Sequence, residues 1–382
     1  GKSVLLIERN ERLGRKLAIT GKGRCNVTND CSAEEALANV PRSAKFLYGA
    51  FAKFPPSETM AFFEELGVPL KTERGKRVFP VSDKAGDVVA ALERELRRLD
   101  VKIAREKALS LIIDDNACRG VKTSAGEHFA RSVIVAAGGK SYPKTGSDGS
   151  GYALAKQAGH TVIEPAPSLV PLVTEEKWVK SACGLTLKNT AMKLLDGEKA
   201  VYEDFGEVAF TADGLGGATI LSASAHISEM KRGRYSVMLD LKPALSAEKL
   251  DARLLREFSE NRGKPFGEAL RKLLPSELCG AFFEITGIPS DKKVDEITKI
   301  ERKTLLNTLK NLRLNIRDFR PLDEAIITRG GIKTSEISPK TMESRLVKGL
   351  FFAGEIIDVD AYTGGFNLQI AFSTGKLAGE NA

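Results

Sequence analysis

Two stretches of this 382-residue chain combine glycines with groups that hold anions. The first, GRKLAITGKGRCNVTN, carries Arg15, Lys16, Gly21, Gly23, Arg24, Cys25 and Asn26. Backbone approaches a diphosphate closely only where side chains are absent, and the negative charge asks for cations and free amides. The segment has all three, although a solvated basic loop would have the same composition. The second stretch, LFFAGEIIDVDAYTGGFNLQ, reads as a buried strand stopping at Gly354 and Glu355, a loop with Gly364 and Gly365, and a helix starting near Asn367. A helix amino terminus offers unpaired amides and partial positive charge. Such a terminus suits a flavin, whose reduced pyrimidine ring is negative near O2. A plain cap, with glycine supplying positive φ, is the alternative.

Other reactive types are less promising. Cys25 has no histidine near it in sequence, so a packing thiol competes with a nucleophile. His128, His160 and His226 share no helix face or carboxylate at ligand spacing, so no metal site is expected. Five scattered cysteines suggest neither a disulfide framework nor zinc, and point to a reducing cytoplasm. The formal charge of +8 is interleaved with acids, which favours small anionic ligands over a nucleic-acid surface. No apolar run reaches the length of a membrane span.

The elements that must position these residues follow from periodicity. Val4–Ile7 reads as a parallel strand buried on both faces, with Glu8 at its carboxyl end where a ribose would be bound. After FPPSE comes a helix capped by Ser57, then a second with Val89, Leu92, Leu96 and Leu99 on one stripe. Residues 107–129 suggest an antiparallel meander. SVIVAAGG is a buried strand that opens a turn-rich loop and a helix around Tyr152–Gln157. Pro165, Pro167 and Pro171 mark a domain crossing. Beyond it the chain reads β-rich over 166–242, helical over 243–320 with Leu305, Leu309 and Leu312 on one helix face, and β again over 321–340. A first domain from 1–165 and 341–382, with 166–340 inserted, is the expected organisation.

ERNERLGRKLAITGKGRCNVTN, VAAGGKSYPKTGSDGSGYALAKQAGHTV and GGIKTSEISPKTMESRLVKGLFFAGEIIDVDAYTGGFNLQIAFSTGKLAG resemble the aminoacetone oxidase/BaiN family of NAD(P)/FAD-dependent oxidoreductases, the YhiN-like flavoproteins. The resemblance covers nearly the whole chain. It implies an α/β FAD-binding dinucleotide fold of the glutathione-reductase class, with an inserted β-barrel-like plus helical domain. By motif, Glu8 and Arg9 meet the adenosine end, and Lys16, Arg24, Asn26 and Val27 the diphosphate and flavin side. Gly138, Gly139, Gly354, Glu355 and Asp358 stand near the cofactor, and Gly365, Phe366, Asn367 and Leu368 line the isoalloxazine.

Two departures accompany it. The family's G-x-G-x-x-G turn belongs about 20 residues before Glu8, which leads to the expectation that the native chain is longer. FTADGLGGAT has Ala212, Gly216 and Ala218 where the family carries a His-containing stretch, so that histidine is not carried over. The expected activity is hydride transfer to or from FAD on a small molecule, by an amine oxidase or by a reductase with NAD(P)H as transient donor. No residue is assigned as catalytic; Asp358, Asp360 and Tyr362 are the candidates for substrate contact. An RNA-associated flavoprotein presenting Lys303, Lys310, Arg313 and Arg317 to phosphates, and a flavin-binding protein without turnover, are the alternatives.

Overall fold

The apolar run at the start becomes the strand Leu5–Ile7, paired in parallel with Lys102–Ala104 in the computed structural model, which describes residues 2–382. Val4 and Leu5 are exposed, contrary to the expectation of burial on both faces. Among the described residues this strand has a single neighbour, and one flank is not enough to cover it. A second parallel pair joins Val133–Val135 to Leu350–Phe352 and so ties the middle of the chain to its end. Parallel strands need crossovers, and the helix Ala85–Arg98 lies on the path between Ile7 and Lys102. Its buried stripe is Ala85, Val88 and Ala91, with Leu92 packed beside it. Leu99 is exposed because the helix ends at Arg98. The helix after FPPSE starts at Pro56 with Pro55 as its cap, so Ser57 lies in the first turn and caps nothing. A proline at the first position has its φ already set for a helix and lacks an N–H that would go unpaired there.

The meander is present as Ala108–Asp114, Ala117–Thr123 and Glu127–Phe129, all antiparallel. The chain divides into two units: residues up to Ser168 with Pro321–Ala382, and Leu169–Arg320. The stretch 321–340, expected in the insert, therefore belongs to the first unit. Ile327–Ile332 pairs antiparallel with Val162–Ser168 there, a partnership that β-texture alone does not reveal.

In the second unit, six strands close a barrel in the order Leu172–Thr174, Gly214–Gly216, Lys199–Phe210, Thr186–Asp196, Tyr235–Asp240 and Leu312–Phe319. Helices including Ala247–Glu260, Ser276–Thr286 and Lys299–Lys310 bury leucines and phenylalanines with the barrel in one core. The last of these helices has a Thr298–Glu301 capping box and buries Leu305 and Leu309. Leu312 is not on it: Asn311 leaves helical space, and Leu312, Leu314 and Ile316 alternate inward as a strand. Among the described residues no helix is long and apolar enough to cross a membrane.

Candidate functional site

The closing helix, Phe366–Asn381, begins at Gly365, whose φ is 101°. A Cβ there would lie 2.4 Å from the Thr28 carbonyl oxygen, so only glycine lets the helix start against the strand Thr28–Asn29. Side chains fasten that contact. Asn29 Nδ2 donates to the Gly364 carbonyl at 3.1 Å, and Thr28 Oγ1 donates to Gln369 Oε1 at 2.6 Å. Gln369 Nε2 and Ser373 Oγ both donate to the Phe54 carbonyl, at 2.9 and 2.7 Å. The glycine pair thus holds a helix end in place before it holds any ligand.

The first backbone bond of that helix runs from the Gln369 amide to the Gly365 carbonyl. The amides of Phe366, Asn367 and Leu368 therefore have no intrahelical acceptor. No side chain caps them and no acid stands in the first turn. Two residues before Thr28, the buried Asn26 Oδ1 lacks a hydrogen-bond partner. Amides for a carbonyl or a developing negative charge, with an unpartnered oxygen for a ring N–H, are the donor set that the pyrimidine end of a flavin needs. In this respect the residues fit FAD.

A second cluster joins the strand ends. Glu355 Oε2 pairs with Lys16 Nζ at 2.6 Å, while its Oε1 accepts from the Thr328 amide at 2.8 Å and Ser141 Oγ at 3.1 Å. Thr328 Oγ1 in turn accepts from the amides of Lys140 and Ser141 at 2.7 and 2.9 Å. A Cβ on Gly139 would meet Thr328 Oγ1 at 2.4 Å, which explains the glycine. Gly138 lies beside Ser147, and the Gly354 amide donates to Thr374 Oγ1 at 3.0 Å. Glu8 Oε1 accepts from the amide and side chain of Asn10, both at 2.8 Å. Arg9 reaches across to Asp148 at 2.7 Å and to the Gly146 carbonyl. Burial opposes ionisation of Asp148, but hydrogen bonds from Arg9 and Ser150 outweigh it and hold the carboxyl at about 2.

Several expected ligand contacts are engaged within the protein. Arg24 pairs with Glu73 and Asp83, each at 2.5 Å, and lies 4.2 Å over the Phe79 ring. Val27 is fully buried and its amide donates to Val78. Asn367 latches the preceding loop: its side chain accepts from the Ala361 amide at 2.9 Å and donates to the Ala361 carbonyl at 2.7 Å. Phe366 is buried, and Leu368 packs beside Cys25, Val27 and Phe63. Cys25 is itself a packed thiol, pushed up to about 11 by burial. Asp360 is buried against Arg42 at 2.5 Å and Ser168 at 2.7 Å, a structural contact. Asp358 is half-buried, and burial, with the charge of Asp360 adding to it, raises its carboxyl above the ordinary range despite Arg42. Sequence reading overlooked Ser141, Thr328, Asn29 and Gln369. Only Ser141, at the strand-to-loop junction, carried a local signal.

A family profile described as HI0933-like protein Rossmann domain matches residues 1–381. The chain belongs to the HI0933-like Rossmann family. This HI0933-like chain is 35% identical to the 3-dehydro-bile acid delta(4,6)-reductase of Clostridium scindens, an alignment covering 99% of this chain and 92% of that protein. It is 30% identical to the ribosomal RNA dihydrouridine synthase of Haemophilus influenzae, over 98% of this chain and 91% of the relative. The ribosomal RNA dihydrouridine synthase of Escherichia coli is 26% identical, over 98% and 90%. Among solved structures, a quinol-fumarate reductase with menaquinol molecules aligns at a TM-score of 0.49 and 16% identity, over 99% of this chain and 66% of that one. This member of the family is an FAD-dependent oxidoreductase of the α/β Rossmann type.

Proposed function

We propose that this protein reduces a carbon–carbon double bond conjugated to a carbonyl in a small organic molecule, with NADH or NADPH restoring the reduced flavin. The observation that carries the reading is the uncapped start of the closing helix, whose three free amides favour negative charge. FAD, when bound, supplies the hydride-carrying N5 and a ring that becomes anionic on reduction. The amides of Phe366, Asn367 and Leu368, with Asn26 Oδ1, would hold its pyrimidine ring, and Lys16 with Glu355 would stand on the sheet-edge side.

Saturating a conjugated bond also requires a proton. Asp358, half-buried and with its carboxyl raised by burial, is the group suited to hold one. Names of relatives support the same chemistry. A delta(4,6) bond system beside a 3-oxo group and the uracil double bond that dihydrouridine lacks are both conjugated with a carbonyl. An amine oxidase would need no such proton donor.

The test is anaerobic. NADH or NADPH should bleach the flavin, and a cyclic enone should then restore its colour with one enone saturated per flavin. Bleaching by aminoacetone, with no reoxidation by any enone, would reject the proposal in favour of an amine oxidase.

The dihydrouridine synthase relatives favour a second reading, in which the conjugated bond belongs to uridine in RNA. Electrostatics weigh against it. Lys310 is taken up by Asp240 at 2.5 Å and Arg313 by Glu198 at 2.9 Å. Over 169–320 the sequence balances 25 lysines and arginines against 22 acids. Retention of RNA that weakens steeply with salt, and uridine loss in that RNA on turnover, would support it. Five free cysteines, with Cys183 exposed, suit a reducing compartment, and we place the protein in the cytoplasm.

A further inference from the structure

The inserted unit contains a cavity of about 220 Å³ between the start of the strand Thr186–Asp196, the end of the strand Tyr235–Asp240 and the start of the helix Ser276–Thr286. Its walls are apolar, formed by Leu187, Leu241, Leu274, Pro275 and Leu278. Its polar residues are Lys188, Asn189, Thr190 and Lys242, with no acid among the lining residues. The pairing of Thr186–Asp196 with its neighbour shifts register between Leu187 and Thr190. That irregularity takes Lys188 and Asn189 out of the ladder and leaves them exposed on the rim.

Lys242 is the unusual member. The residue is half-buried and its ammonium has no acceptor among the described residues, whereas the nearby acid Asp240 is engaged by Lys310 at 2.5 Å and by the Lys242 amide at 2.9 Å. Lys310 also takes the carbonyls of Lys242 and Leu245. Burial depresses the ionisation of Lys242, and the charge of Arg253 acts in the same direction. A partly desolvated cation without a counter-ion, set in leucine walls, is an unfavourable arrangement that an anion with an apolar body would relieve. The room available is far more than the ~10–15 Å³ that a single water needs.

We infer that this cavity is a binding site for an amphipathic monocarboxylate, with the carboxylate on Lys242 and the hydrocarbon against Leu187, Leu241, Leu274 and Leu278. The inference does not depend on the reaction proposed above. A neutral molecule of the same shape would leave Lys242 uncompensated, so charge and body must be recognised together.

Isothermal titration of the flavin-loaded protein with octanoate and with 1-octanol, at constant low salt, tests this. Octanoate should bind saturably, at least tenfold more tightly than octanol. Lys242→Met, which keeps the apolar stem, should remove that preference. Because Lys242 loses its proton at lower pH than an exposed lysine, octanoate affinity should fall as pH rises below the ordinary lysine range. Should the variant fail to fold, lysine acetylation of the wild-type protein followed by peptide mass spectrometry gives an independent answer. Octanoate should protect Lys242 severalfold and leave Lys303 unprotected. Equal affinity for octanoate and octanol, an unchanged preference in folded Lys242→Met, or equal labelling of Lys242 with and without octanoate would each overturn the inference.

Discussion

Replacing Gly365 by alanine should damage both stability and flavin binding, and the geometry sets the scale. The new Cβ would sit 2.4 Å from the Thr28 carbonyl oxygen, 2.5 Å from its carbon and 2.8 Å from Cα. All three are backbone atoms that cannot swing aside, so the helix start must retreat by roughly 1 Å to restore ordinary contact. At φ 101° the alanine is also strained, at a cost of about 1–3 kcal/mol. Losing part of the Thr28–Gln369 and Asn29–Gly364 bonding adds about 1 kcal/mol. The sum, about 2–4 kcal/mol, should lower the melting temperature by several degrees. A 1 Å retreat of the amides should weaken FAD binding roughly tenfold or more. The assay is a thermal melt of flavin-free protein together with FAD titration by quenching of flavin fluorescence. Gly375→Ala is the control, because it lies in the same helix with open space at its Cβ; it should stabilise by roughly 0.5–1 kcal/mol. If Gly365→Ala melts with wild type and binds FAD equally well, the claim that these glycines seat the helix on Thr28 is wrong.

Three further outcomes follow from the site. Lys16→Met should destabilise by about 1–3 kcal/mol, since it strands one oxygen of a largely buried Glu355 carboxylate, and Lys16→Met with Glu355→Gln should recover most of the loss in urea unfolding. Asp148→Asn should melt below wild type at neutral pH. The folded-state ionisation of Asp148 is depressed, so its contribution is complete above its unfolded value and lost as pH falls through about 2; the gap between the two melting curves should therefore narrow from about pH 4 downward, and a gap as wide at pH 2 as at neutral pH would exclude the Arg9 pairing as its source. Asp358→Asn should lower the rate of enone-driven flavin reoxidation roughly 10²-fold. For wild type that rate should fall as pH rises through the raised Asp358 ionisation, and the variant's should be flat in stopped-flow measurements.

How far the sequence disclosed the site depended on how local each signal was. The closing helix was legible because a strand, two glycines and a helix-like run are adjacent in the chain. What those glycines touch was not legible, since Thr28 lies more than 300 residues away. Arg24 was read as an anion ligand from its glycine-rich surroundings, yet Glu73 and Asp83 reach it from separate elements. Leu312 continued a helical spacing arithmetically, but Asn311 ends the helix and the period-2 pattern that follows prevails. Thr328 had no local cue. It matters because its hydroxyl and amide fasten Lys140, Ser141 and Glu355, a role created by tertiary contact alone.

The first unit is sewn from two distant pieces of chain, with about 150 residues between them. During synthesis the barrel unit is complete before the segment from Pro321 onward exists, so it is free to fold early and on its own. Until then, Val133–Val135 lacks Leu350–Phe352, Val162–Ser168 lacks Ile327–Ile332, and Thr28 lacks Gln369. Competence for the cofactor therefore arises only once the helix Phe366–Asn381 has been made. A ribosome that stalls before the closing helix releases an intermediate with open strand edges, the kind of surface on which chaperones act and aggregates begin.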